Sequence, residues 1–483
     1  MNPFKSLFKD TFIYGLATVL PRFLSFLLVP LYTKIFAEDE YGVVTVVMSF
    51  LIFFNVILSY GMETTVFRFF SKQQNNPKVV STASISLLVS SFGFLFLTYF
   101  FQEPLAEILD IKPAYYKLVI WVLFLDAICV IPLAYLRIQK KSISYALIKI
   151  ISVAVNLGLN LFFLLGLPKW KTDDNFLNSI YLDDGITYIF ISFLVGSALS
   201  FIMLSPFYLK LKYHFDVQLW KSMLKYSWPI LVAGLAFSIN ETLDKILLKY
   251  LLPEDISEYQ VGIYGACYKL SVFMTLFATA FRLGVEPFFF SHATSKNPKK
   301  AYALITKYFV ILGLLILLSV VVFMDYLKLI IRREGFYEAL SIVPILLLAN
   351  LCLGIYHNLS VWYKVTDRTY FGAIISCVGA VLTLIVNFVF IPIYSYEASA
   401  VATLLAYGSM MILSYAFGQK YYKIDYPTRR LALYALIGIT FSGFYFYVLR
   451  DYFWVGLVMI GFYVLIVYIQ EKKEILTYLK VKS

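Results

Sequence analysis

The stretch GLATVLPRFLSFLLVPLY, residues 15–32, sets how the rest of the chain is read. It lies inside an apolar run long enough to cross a bilayer, which takes roughly 20 residues. Yet Arg22 follows directly on Pro21, and Pro30 comes eight residues later. A guanidinium keeps its charge at any physiological pH. Near the bilayer centre a charge costs about 2.5–3.5 kcal/mol on insertion scales, so such residues face a cavity or a partner. A segment of this kind is a span that bends and does not look wholly at lipid.

Working outward, the whole chain has the same character. Its 483 residues are 61% hydrophobic and only 14% charged, with 45 Phe and 39 Tyr. Mean hydropathy is +0.78. Soluble domains run at about 45–50% apolar and about 25% charged, so this is a polytopic membrane protein. Apolar runs fall near 11–35, 41–62, 80–101, 116–136, 145–167, 185–207, 227–250, 261–289, 305–325, 338–360, 370–391, 397–417, 431–449 and 453–470. That pattern predicts an all-α fold of about fourteen transmembrane helices, with connections too short for an extramembrane domain. The first run has no small-x-small cleavage pattern and is expected to stay as a helix.

The net charge of +12 would suggest nucleic acid in a soluble chain, but the charges alternate by loop. RIQKK (137–141), KLKYHFDVQLWKSMLK (210–225), KNPKK (296–300), KYYKIDYPTRR (420–430) and the C-terminal tail are basic. EDE (38–40), TDDNFLNSIYLDD (172–184) and PEDISE (253–258) are acidic. This is the positive-inside pattern. It places both termini in the cytoplasm, with no nucleic-acid partner. One loop, YLKLIIRREG (326–335), is basic yet falls on the outer side. Cys129, Cys267, Cys352 and Cys377 are scattered through apolar runs and read as packing residues. His214, His292 and His357 lie far apart in sequence, so no metal site is expected.

The two halves echo each other. YTKIFAEDEYGVVTV (32–46) resembles LKYLLPEDISEYQVGIYGA (248–266), LRIQKKSISYALIKIIS (136–152) resembles WYKVTDRTYFGAIISC (362–377), and NLFFLLGLP (160–168) resembles NFVFIPI (387–393). An even number of helices per repeat gives parallel copies, a transporter architecture with the substrate site between halves. We therefore expect two parallel six-helix lobes, helices 1–6 (residues 1–210) and 7–12 (211–420), around a central cavity. Helices 13–14 and a tail (421–483) complete the chain.

Charges within the predicted spans are the candidate functional groups. Arg22 and Arg282 each accompany a proline, which bends a helix. Guanidinium forks grip phosphate bidentately, so both are candidates for an anionic group. The rival reading is a structural bridge, from Arg22 to Asp126 or from Arg282 to Glu286. Arg68 lies just beyond the second span, where it either follows the positive-inside pattern or catches a head group. In NETLDKILLKYL (240–251), Glu241 and Asp244 lie one turn apart and are candidates to hold H+ or Na+, with Asn387 as a further oxygen ligand. The rival reading is a self-neutralising set in which Lys245 and Lys249 snorkel outward. Asp126, Lys149, Lys245, Lys269 and Glu286 are the remaining intramembrane charges. No Walker loop is present, and the short outer loops give no enzyme pattern.

FIYGLATVLPRFLSFLLVPLYTKIFAEDEYGVVTVV (12–47), YGMETTVFRFF (60–70), LDKILLKYLLP (243–253) and FRLGVEPFFFSHA (281–293) together resemble the polysaccharide-transport branch of the multidrug/oligosaccharidyl-lipid/polysaccharide exporter superfamily, which includes the Wzx-type flippases. The resemblance implies a non-enzymatic flippase in the bacterial cytoplasmic membrane. It would move an undecaprenyl-pyrophosphate-linked oligosaccharide, such as an O-antigen or capsule unit, outward by alternating access. It implies pyrophosphate contacts at Arg22, Arg68 and Arg282, and a coupling cation, H+ or Na+, near Glu241, Asp244 and Asn387, with no other cofactor. Implied partners are membrane lipids and polysaccharide-assembly proteins. The alternatives are a drug/cation antiporter of the same superfamily and a membrane polysaccharide polymerase or ligase.

Overall fold

The computed structural model describes residues 3–72, 76–172, 176–292, 298–366 and 368–480, and the side chains of all of these except 3–12, 14, 286–292 and 473–480. The described residues contain helices and connecting turns and no strand. A bilayer dictates this outcome, because an α-helix satisfies its own backbone groups where no water can.

The first unit extends to Gly265 and takes in Asn387–Ser395. Its helices are α1 (Pro3–Phe26), α2 (Val29–Ile35), α3 (Glu38–Ser59), α4 (Met62–Lys72), α5 (Pro77–Phe100), α6 (Pro113–Ile138), α7 (Ser142–Leu161), α8 (Gly185–Lys210), α9 (Val217–Leu251) and most of α10 (Glu254–Leu270). The second unit holds Ala266–Val386 and the chain from Tyr396 onward. It contains α11 (Val272–His292), α12 (Pro298–Val322), α13 (Ile342–Leu359), most of α14 (Tyr370–Tyr421), α15 (Thr428–Phe444) and α16 (Phe453–Lys480).

Among the described residues, eleven helices are long and apolar enough to cross a membrane, or twelve if the bent pair α10–α11 counts as one span. Two features bring the helical rods toward the fourteen expected. The 52-residue α14 breaks at Ser395, whose φ of 48° and ψ of −134° are not helical. The 35-residue α9 is long enough, but the six charges from Lys221 to Lys249 lower its hydropathy.

The two prolines of the opening stretch behave differently. Pro21 sits inside a continuous α1. The break comes at Leu27 and Leu28, just before Pro30 near the start of α2. There Leu28 N–H turns back to Ser25 O at 3.2 Å. Pro30 has no N–H to give to the carbonyl one turn back, so the ladder is interrupted there even though Leu28 keeps helical angles (φ −78°, ψ −17°).

The acidic echo segments meet face to face. A Cβ on Gly42 in α3 would overlap the Glu258 carbonyl of α10, and one on Gly262 would overlap the Glu38 carbonyl. The residues Glu38 and Gly42 face Glu258 and Gly262 reciprocally, as a pseudo-two-fold contact requires.

Candidate functional site

In the first unit, α1 carries Arg22 in mid-span, exposed from the surrounding protein. Asp126 is not its partner. Asp126 Oδ1 instead accepts a hydrogen bond from Ser197 Oγ of α8 at 2.7 Å, with Asn55 of α3 and Lys149 of α7 as its other neighbours. A short hydroxyl donor satisfies this part-buried carboxylate without a guanidinium.

Arg68 lies in α4, which is set off from α3 by left-handed Tyr60 and Gly61 (φ 31° and 69°). Its guanidinium carbon stands 4.2 Å over the Tyr226 ring of α9. Cation–π stacking of this kind holds a guanidinium without cancelling its charge. One face of the fork is thus spent on an aromatic, and the edge donors keep their charge-assisted capacity.

On α9 the acids part company. Asp244 is buried, and Lys245 Nζ lies 2.8 Å from its Oδ1 and 3.0 Å from its Oδ2. Tyr264 Oη donates to Oδ2 at 2.6 Å. Lys245 Nζ also donates to the Glu241 carbonyl at 3.1 Å. The self-neutralising half of the rival reading therefore holds at Asp244 and Lys245, which pair with each other. Lys245 folds back onto its neighbour, and buried Lys249 is held by Asp110 Oδ2 and Glu258 Oε1, each at 2.9 Å. The cause is energetic: a buried charge pays a desolvation cost that only a close partner repays. Glu241 is half-buried one turn away. Asn387 is fully buried in a segment of the same unit, and Ser395, at the end of that segment, donates to Gln260 Oε1 of α10 at 2.8 Å. Lys269, in the last turn of α10, is exposed.

In the second unit, Arg282 lies part-buried on α11, in the electrostatic neighbourhood of His357 on α13. Glu286, its expected partner, lies outside the side chains described.

Two ionic clusters escaped the sequence reading. Lys307 Nζ of α12 lies 2.6 Å from Glu471 Oε2 of α16, and Tyr434 Oη of α15 donates to Oε1 at 2.8 Å. Arg430 lies 3.4 Å from the same Oε1. Lys307 and Glu471 are 164 positions apart, so no local pattern could pair them. The basic loop that resisted the positive-inside pattern is partly neutralised. Asp325 is gripped by Arg450 Nε and Nη2 at 3.1 and 2.9 Å and by Lys328 Nζ at 2.7 Å. Burial pushes the Asp325 carboxyl up, but the hydrogen bonds and charges of Arg450 and Lys328 outweigh it and hold it below the usual carboxylate range. The cysteines carry no disulfide: Cys129, Cys267 and Cys352 are buried and Cys377 is partly so.

A family model described as "Polysaccharide biosynthesis protein" matches residues 7–291. None of the curated proteins compared matches the sequence. Among solved structures, the lipid II flippase MurJ in an inward closed conformation aligns with a TM-score of 0.73 at 16% identity, over 96% of this chain and 100% of that one. A multidrug resistance MATE family transporter of the MOP superfamily, inward-facing, aligns with a TM-score of 0.65 at 11% identity, over 85% and 95%. A point mutant of the Vibrio cholerae MATE transporter VcmN gives a TM-score of 0.55 at 15% identity, over 86% and 96%. At such identities the likeness is one of fold, that of the MOP-superfamily transporters.

Proposed function

The chain belongs to the polysaccharide biosynthesis protein family, and from that premise we propose that it flips an undecaprenyl-pyrophosphate-linked oligosaccharide from the cytoplasmic to the outer leaflet by alternating access. The observation that carries the proposal is Arg22: a permanent charge in mid-span, not enclosed by the protein around it. Facing lipid there would be costly, so the side chain suits a wet path that an anionic head group follows. Arg68 and Arg282 are proposed to share the pyrophosphate at other stages of its passage. The two lobes are taken as residues 1–210 and 211–420 about a central cavity, with 421–483 appended. The protein would sit in the bacterial cytoplasmic membrane with both termini inside, alongside polysaccharide-assembly proteins. It acts as a carrier and not an enzyme.

Coupling to H+ or Na+ is part of the reading, with a shift in emphasis. The Asp244 carboxylate already holds an ammonium, so an external cation has to displace Lys245 to reach it. Glu241, with Asn387 as a neutral oxygen donor, is the better candidate.

The test is deletion followed by leaflet-resolved analysis of lipid-linked oligosaccharides. Accumulation on the cytoplasmic face is expected. Normal sidedness with unpolymerised units would replace the flippase with a polymerase or ligase. Drug sensitivity with normal glycolipids would replace it with a drug/cation antiporter.

A further inference from the structure

A cavity of ≈ 1050 Å³ lies in the first unit between α5 and the first half of α9. Its walls are almost entirely carbon, among them Val89, Trp220, Leu224, Trp228 and Leu231. The polar atoms at its floor are turned on one another. Trp220 Nε1 donates to Ser86 Oγ at 2.9 Å, and Tyr60 Oη and Ser86 Oγ share a bond of 2.7 Å. Such a floor offers nothing to a polar ligand and suits hydrocarbon. The cavity opens on a flank where Val89, Phe92 and Phe96 of α5 are 67%, 56% and 69% exposed and Trp228 of α9 is 65% exposed. On a membrane helix, that flank faces lipid.

One end of the groove is built for a negative charge. Lys221 and Lys225 adjoin the lining residues Trp220 and Leu224, and both are exposed. Lys221, Lys225, Trp228 and Val232 fall at i, i+4, i+7 and i+11, one stripe of α9 that passes from charged to aromatic to aliphatic. Tryptophan commonly marks the interface between head groups and tails. Both α5 and α9 begin at the charged end. The His214 N–H donates to Ser81 Oγ at 2.7 Å, and the Asp216 N–H to Thr82 Oγ1 at 3.3 Å, which ties the two helix starts together. The start of α5, capped by the neutral Asn76, therefore adds one positive helix-dipole end to the lysines. Asp216, the acid at this end, is engaged as the cap of α9 through Leu219 N–H at 3.0 Å.

We propose that this groove is a holding site for a polyprenyl phosphate lipid, with its isoprenoid chain against the aromatic wall of α5 and α9 and its phosphate at Lys221 and Lys225. The inference rests on the flippase reading and adds where the lipid waits before its head group crosses. The aromatic faces of Tyr60, Trp220 and Trp228 complement a chain studded with flat alkenes better than a saturated acyl chain.

The test uses the full-length protein in phosphatidylcholine nanodiscs and undecaprenyl phosphate carrying a photoactivatable group in its chain. Adducts are expected on the groove residues of α5 and α9, competed by unlabelled undecaprenyl phosphate and not by phosphatidylglycerol. Lys221→Ala with Lys225→Ala should weaken that competition about tenfold, equivalent to ~1.4 kcal/mol. Val89→Trp, at an exposed position that leaves the packing intact, should remove the adducts. Adducts spread evenly over the lipid-facing helices, or equal competition by phosphatidylglycerol, would overturn the site. Flipping of lipid-linked oligosaccharide by the same preparation separates the two claims. Intact flipping without groove adducts removes the groove alone, and groove adducts without any flipping remove the flippase reading.

Discussion

Arg22 and Lys245 are both cations placed inside spans, and the structure treats them oppositely. Lys245 is enclosed with its own carboxylate, whereas Arg22 stays exposed. Removing Lys245 strands a buried acid, so Lys245→Met should destabilise the protein by about 3–5 kcal/mol. The double variant Asp244→Asn with Lys245→Met should recover most of that loss. Thermal unfolding in detergent checks both, and a double variant no better than the single would show that the pair is not the source. Arg22→Ala should behave in the reverse way. It should leave the protein folded in the membrane and abolish transport measured by leaflet-resolved glycolipid analysis. Wild-type transport would end the phosphate-binding role.

At the scale of elements, the helices that the sequence marked by long apolar runs were legible, because hydropathy over about 20 residues is a local signal. The break in the opening stretch was half legible. Two prolines announced it, yet only Pro30 interrupts the helix, since Pro21 sits where α1 runs on. The crossing of α3 and α10 rests on glycine. A methyl group at Gly42 or Gly262 has to push against a backbone carbonyl, which cannot swing away. Gly42→Ala and Gly262→Ala should each cost about 1–3 kcal/mol, as overpacking does, with nearly equal melting shifts because the contact is reciprocal. The clasp between Asp325 and Arg450 makes a prediction about acidity. Its carboxyl is held below the unfolded value, so its contribution is fully present above about pH 3.9, the ordinary carboxylate value, and is lost as pH falls through the folded value. Melting temperatures of the parent and of Asp325→Asn should differ by a constant amount from pH 7 to 5 and converge at lower pH.

On the scale of the whole molecule, composition and the long apolar runs were enough for an all-helical polytopic fold, because the bilayer admits few alternatives. The partners of the intramembrane and buried charges were not readable. Asp126 with Ser197, Lys249 with Asp110, and Lys307 with Glu471 join positions 71, 139 and 164 residues apart. A pattern read along one helix cannot see them. Of the echoing segments, the two acidic ones touch each other, Gly42 against Glu258 and Gly262 against Glu38.

The closed pair of Asp244 and Lys245 has an electrical consequence. Moving one elementary charge through the full membrane potential is worth about 2.3 kcal/mol per 100 mV. Two opposite charges fixed to one turn of α9 travel together, so any swing of that helix through the field does no net electrical work. Voltage sensitivity of the transport cycle then comes from other charges, among them Glu241, the arginines and the cargo. Replacing the pair with Asn and Met should leave the slope of transport rate against imposed potassium-diffusion potential unchanged. Neutralising Glu241 as Glu241→Gln should flatten it.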